Sequence, residues 1–111
     1  MAGKFVITKG KDGKYYFNLK AGNGEVILTS QGYKASADCM NGIESVKKNS
    51  ANEARFEVKK SSDGKEYFVL TATNGQTIGK SQMYKSVSGC SNGMKSVASS
   101  SAAASIVDES A

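Results

Sequence analysis

Histidine is absent from this chain of 111 residues. Its absence removes the commonest general base and the commonest metal ligand together. Cysteine occurs twice, at Cys39 and Cys90, too few for a disulfide framework. Two thiols with no histidine and no C-x-x-C spacing also fall short of the four ligands a zinc site wants. No apolar run is long enough to span a membrane, and Met1-Ala2-Gly3-Lys4-Phe5 enters a strand-like pattern without the apolar stretch of a secretion signal. The expectation is a cytoplasmic protein with reduced cysteines and no membrane contact. With 39% apolar and 23% charged residues, the chain reads as one globular domain over residues 1–111. The formal charge of +5 is mild. It is spread over both halves, so it permits weak attraction to nucleic acid without implying it.

What is present is a repeat. A shift of 51 positions, with no gap, makes about 22 of 51 residues identical. Repeat one is read as residues 4–54 and repeat two as 55–107. Phe5 falls on Phe56, Asp12-Gly13-Lys14 on Asp63-Gly64-Lys65, Tyr16-Phe17 on Tyr67-Phe68, and Asn23-Gly24 on Asn74-Gly75. Further along, Tyr33-Lys34 falls on Tyr84-Lys85, Cys39 on Cys90, and Asn41-Gly42 on Asn92-Gly93. The Asp-Gly and Asn-Gly pairs lie between alternating apolar runs, where glycine supplies the φ > 0 of tight hairpin turns. Each copy therefore begins with three antiparallel strands. These are expected near 4–9, 14–20 and 25–30, and again near 55–60, 65–71 and 76–81.

Alternation assigns a buried face to Phe5, Ile7, Phe17, Leu19 and Ile27 in the first copy. It assigns the same face to Phe56, Val58, Phe68, Leu70 and Ile78 in the second. Helices are expected near 37–49, with Ser36 as N-cap, and near 88–99. Cys39, Ile43 and Val46 form one helical stripe, and Cys90, Met94 and Val97 form its counterpart. Gly42 and Gly93 interrupt both helices at about 1 kcal/mol each against alanine. A penalty kept in both copies points to a close approach, expected to be the sheet backbone. The same offset sets Ile106-Val107-Asp108 on Arg55-Phe56-Glu57, so a final short strand is expected there.

These residues resemble the YegP-like family of small bacterial proteins, a family of unknown function. Its pattern is carried by Phe5, Ile7, Lys9, Asp12-Gly13-Lys14, Tyr16-Phe17, Leu19-Lys20-Ala21, Asn23-Gly24, Ile27, Ser30, Tyr33, Gly42-Ile43 and Ser45-Val46. The second copy departs at Thr71, at Met94 and in the run after Val97. The resemblance implies a β-β-β-α-β unit used twice, with the copies sharing one sheet and exchanging their last strands. It supplies no catalytic residues. The fold expected is α+β: two tandem β-β-β-α units about a pseudo-two-fold axis, one mainly antiparallel sheet, and helices on one face. A monomer is expected, because the duplication supplies within one chain what a second chain would otherwise provide.

Several features imitate chemistry. Gly10-Lys11-Asp12-Gly13-Lys14 is too short for a phosphate-binding P-loop and leads into a strand rather than a helix. Gly22-Asn23-Gly24 lacks the third glycine and the following helix of a dinucleotide site. Asp12 and Asp63 are turn residues whose carboxylates serve their own backbone. The serines have no histidine to activate them. Cys39 and Cys90, on apolar helix stripes, are read as small hydrophobes. No enzyme activity, metal or cofactor is expected. The candidate binding face consists of Tyr16, Tyr67, Tyr33 and Tyr84 with Lys14 and Lys65, ringed further by Lys9 and Lys60. The preferred role is a small non-enzymatic binding or accessory module of unknown ligand, with an unknown protein as one candidate partner. The alternative is a weak single-stranded nucleic-acid binder, with tyrosines stacking on bases and lysines meeting phosphates.

Overall fold

The computed structural model describes residues 3–73, 75–102 and 104–110. Asn74, expected with Gly75 in a hairpin turn, lies outside them. The first copy runs β1 (Lys4–Lys9), β2 (Tyr15–Lys20), β3 (Val26–Ser30) and α1 (Ser36–Asn49). A 3-10 turn at Glu53–Arg55 leads into β4 (Phe56–Lys60), β5 (Glu66–Thr71), β6 (Thr77–Lys80), α2 (Val87–Ala102) and β7 (Ser105–Asp108). Among the described residues these strands make one sheet in the order β4-β5-β6-β3-β2-β1-β7. All neighbours are antiparallel except β1 and β7, which are parallel.

The hairpins form where the sequence places them. Gly13 and Gly64 take φ of 79° and 85°, values that a side chain makes unfavourable. Asp12 Oδ1 accepts the Lys14 N–H at 3.0 Å, and Asp63 does the same for Lys65 at 3.3 Å. Beyond the hairpins a serine carries the ladder. At the end of β3 the Ser30 hydroxyl accepts the Phe17 N–H at 2.9 Å and donates to the Gln31 carbonyl at 2.8 Å. Ser81 repeats both bonds for Phe68 and Gln82. A buried N–H that the strand cannot reach is thereby satisfied.

The core lies between one sheet face and the two helices. Phe5, Ile7, Phe17, Leu19, Phe68 and Leu70 are fully buried, as are Cys39, Ile43, Val46, Cys90 and Val97 from the helix stripes. The ring geometry is reproduced between copies. Phe5 meets Phe17 edge-on at 5.7 Å, and Phe56 meets Phe68 edge-on at 5.4 Å.

The sheet is joined at β3–β6, where Thr29 pairs with Lys80 and Ser30 with Gly79. Here the copies differ for a steric reason. Leu28 is fully buried, and a Cβ placed on its counterpart Gly79 would lie 2.9 Å from Leu28 Cγ. The junction has room for one leucine, not two.

Four expectations are corrected. Ser36 is not the N-cap of α1: Ala35 occupies that position and makes no side-chain cap bond, so Ser36 is the first helical residue. The second helix runs past Ser99 to Ala102. Gly42 and Gly93 face tyrosine rings rather than the sheet backbone: a Cβ on Gly42 would meet the Tyr33 hydroxyl at 2.5 Å, and one on Gly93 would meet Tyr84 Cζ at 2.7 Å. Phe56 is only half-buried and Val58 is 41% exposed, whereas Phe5 and Ile7 are completely covered. The last difference follows from topology. β7 covers the outer edge of β1, while among the described residues no strand covers the outer edge of β4. The chain leaving α1 becomes β4 itself, so the strand transfer runs one way, from the second copy to the first.

Candidate functional site

Both helices pack on the face that carries Phe17 and Phe68. Strand alternation turns Tyr16, Asn18, Thr29, Lys80, Val69 and Tyr67 to the other face. Tyr16 and Tyr67 stand on β2 and β5, three strand spacings apart. That is roughly 14 Å in the direction of the ladder. Between them, across the β3–β6 junction, runs an open groove of about 530 Å³ lined by Val26, Thr29, Gln31, Val69, Lys80 and Gln82, among others. The Gln31 side-chain amide donates to the Thr77 carbonyl across this junction. Thr29 Oγ1 donates to Asn18 Oδ1 at 2.8 Å.

The two tyrosines are dressed differently. The Tyr16 hydroxyl donates to Asp12 Oδ2 at 2.7 Å. That bond, with the Lys14 N–H, holds the Asp12 carboxyl below its usual range, and the same carboxylate raises the Tyr16 hydroxyl above its own. The Tyr67 ring instead carries the Lys80 ammonium 4.8 Å from its centroid, a cation–π contact.

The remaining candidates divide between the faces. Tyr33 and Tyr84 sit with the helices. Their rings stack on Phe17 and Phe68 at 6.3 and 6.2 Å, both at 12°, and burial raises both hydroxyls. Lys9 turns its ammonium to Tyr15, 5.5 Å from that ring. Lys60 shares the side of Phe56 and Val58 by alternation. Lys65 is exposed and pairs with Asp63 at 3.9 Å. Lys14 lies beside Tyr16, its Cδ 2.8 Å from where a Gly32 Cβ would be. The face thus gathers Tyr16, Tyr67 and Lys14 and adds Lys80, which sequence reasoning missed. Alternation could not have found it: period two puts Lys80 on the buried face with Ile78, and the register shift between Leu70 and Thr71 is what turns it outward opposite Val69. Among the described residues no three His, Cys, Asp or Glu come together, and no helix is long and apolar enough to cross a membrane.

A mixed sheet built from two β-β-β-α copies, with both helices on one side, defines an α+β tandem-repeat protein. Two solution NMR structures share it across almost the entire chain. One is a UPF0339 protein of Shewanella oneidensis (TM-score 0.92, 45% identity, 99% of this chain and 93% of that one). The other is the protein of unknown function yegP of E. coli (TM-score 0.94, 44% identity, 99% and 95%). A UPF0339 protein of Pseudomonas aeruginosa is 51% identical over 110 residues, covering 99% of this chain and 100% of its relative.

The chain belongs to the family described as Domain of unknown function (DUF1508), whose profile matches it twice, over residues 11–57 and 61–108. The resemblance to YegP-like proteins read from the sequence therefore holds.

Proposed function

We propose that the chain is a non-enzymatic binding or accessory module that acts as a cytoplasmic monomer and engages its partner through the helix-free sheet face. The observation that carries this reading is the junction groove between Tyr16 and Tyr67, with Lys80 projecting beside it. Open concave surface of mixed polarity, flanked by aromatic rings, is what a binding surface requires. The test is affinity capture from bacterial extract with the native chain and with a Tyr16→Ala/Tyr67→Ala/Lys80→Ala variant. A component retained by the first and lost by the second supports the reading. Identical retention by both overturns it.

The contact of Lys80 with Tyr67 favours one second reading, a weak single-stranded nucleic-acid surface. Against it, Tyr33 and Tyr84 have left the face for the helix layer, and the Tyr16 hydroxyl is committed to an anion, Asp12. Titrating isotope-labelled protein with oligothymidylate separates the two. Amide shifts near Tyr67 that grow as salt is lowered would favour nucleic acid, and their absence at low salt would eliminate it.

A further inference from the structure

The two copies place equivalent strands in unequal surroundings. In the first, β7 lies parallel to β1 with Phe5 opposite Ile106 and Ile7 opposite Asp108. The Glu109 N–H donates to the Ile7 carbonyl at 2.7 Å. Ile106 packs against the core, and Phe5 and Ile7 are sealed. In the second, no strand among the described residues lies on the outer edge of β4. The counterpart of the Ile7 carbonyl is that of Val58, and by strand alternation Phe56 and Val58 both turn their N–H and C=O groups to this edge. Beside it lies a groove of about 380 Å³ lined by Ala51, Phe56, Val58, Met94, Lys95 and Ala98, among others.

The helix wall of that groove differs from its counterpart in the first copy. Met40, Glu44 and Lys47 of α1 become Ser91, Lys95 and Ala98 of α2. Lys47 reaches over Phe5, its ammonium 6.0 Å from the ring, whereas Ala98 has nothing to reach over Phe56. The second copy therefore has an open apolar slot where the first has a covered one. Its rim is basic, with Lys60 and Lys95 exposed, and Lys59 is exposed on the opposite face of the same edge strand.

We propose that the edge of β4 and its groove form a docking site for an extended segment of another protein, which pairs parallel to β4, sets an aliphatic side chain into the groove and continues with acidic residues toward the lysines. Strand addition of this kind draws affinity from main-chain bonds and specificity from alternate side-chain pockets. The protein carries its own template for the ligand in β7, Ser105-Ile106-Val107-Asp108, followed by Glu109. A second copy of this chain is the poorer occupant. Its β7 is needed to cover Phe5 and Ile7, and its lysines would oppose those already at the edge. This surface is separate from the helix-free face, so either proposal can fail alone.

The experiment is an NMR titration of the intact, isotope-labelled protein with a synthetic peptide of the sequence of residues 104–110. Expected are amide shifts confined to residues 56–60 and 91–98, saturating at millimolar peptide or below. Lys59→Glu/Lys60→Glu should weaken binding several-fold. Val58→Pro, which removes an outward N–H at an edge where proline is tolerated, should abolish it. Absence of shifts overturns the proposal. Shifts at residues 4–9, meaning displacement of β7, overturn it too, as does a peptide-independent dimer closed through β4.

Discussion

The buried hydroxyls of Ser50 and Ser101 meet at 2.8 Å, and the two residues are repeat counterparts, 51 positions apart. Equivalent atoms touch only where a two-fold axis passes between them. The ends of α1 and α2 thus mark the pseudo-axis on the helix layer, as β3–β6 marks it in the sheet.

Ser101→Ala is expected to lower stability by about 1–2 kcal/mol, because it strands the buried Ser50 hydroxyl, and Ser50→Ala by less, because the Ser101 hydroxyl keeps the Ala98 carbonyl at 3.3 Å. The double variant should lose less than the sum of the two. Urea unfolding of the four proteins measures the coupling, and strict additivity would contradict the pairing.

Gly79→Ala is expected to destabilise by about 1–3 kcal/mol, since the new methyl meets Leu28 Cγ. Made together with Leu28→Ala, it should cost less than the single changes combined. Thermal unfolding of the cycle tests whether these two residues compete for one space.

Helix propensity alone says that Gly42→Ala should gain about 1 kcal/mol. The opposite is expected, because the Tyr33 ring occupies that space, stacked on Phe17. Its backbone is held to Tyr15 by bonds of 2.7 and 2.8 Å. Gly93→Ala should behave alike through Tyr84. Gains in melting temperature would show that the rings yield freely.

The two helices begin differently. Ser86 Oγ accepts the Gly89 N–H at 3.1 Å, while its counterpart Ala35 has no side-chain cap bond to offer. Ala35→Ser is expected to stabilise the protein by about 0.5–1 kcal/mol, and Ser86→Ala to destabilise it by a similar amount. Denaturant midpoints decide both.

Cys39 is fully buried. That burial, helped by the nearby Asp108 carboxylate, pushes its thiol from 9.0 up to about 11. The folded state holds the proton after the unfolded chain has released it. The contribution is therefore complete below pH 9 and is lost as pH rises toward 11. Cys39→Ala should lower stability at neutral pH and flatten the decline above pH 9. The check is melting temperature against pH for both proteins.

Much of the fold could be read before any coordinates. The Asp-Gly hairpins, the strand faces of the first copy, the two helical stripes and the final strand at Ile106 all depend on neighbours in sequence or on the 51-residue offset. The site was legible only in part. Period-two alternation places Tyr16 and Tyr67 because they lie inside strands. It says nothing of Tyr33 and Tyr84, which follow the third strand of each copy in a segment that turns back to bridge Tyr15 and Glu66.

The sequence by itself determined that the chain is a doubled unit, because identity at fixed spacing requires each half to satisfy the same local physics. Only the tertiary structure decided that the halves are not equal. One C-terminal strand can cover one edge, so Phe5 and Ile7 are sealed while Phe56 and Val58 stay open. One leucine fills the junction, so its counterpart is glycine. Packing across an axis is a contest for shared space, and its outcome is fixed where the two copies meet rather than within either one.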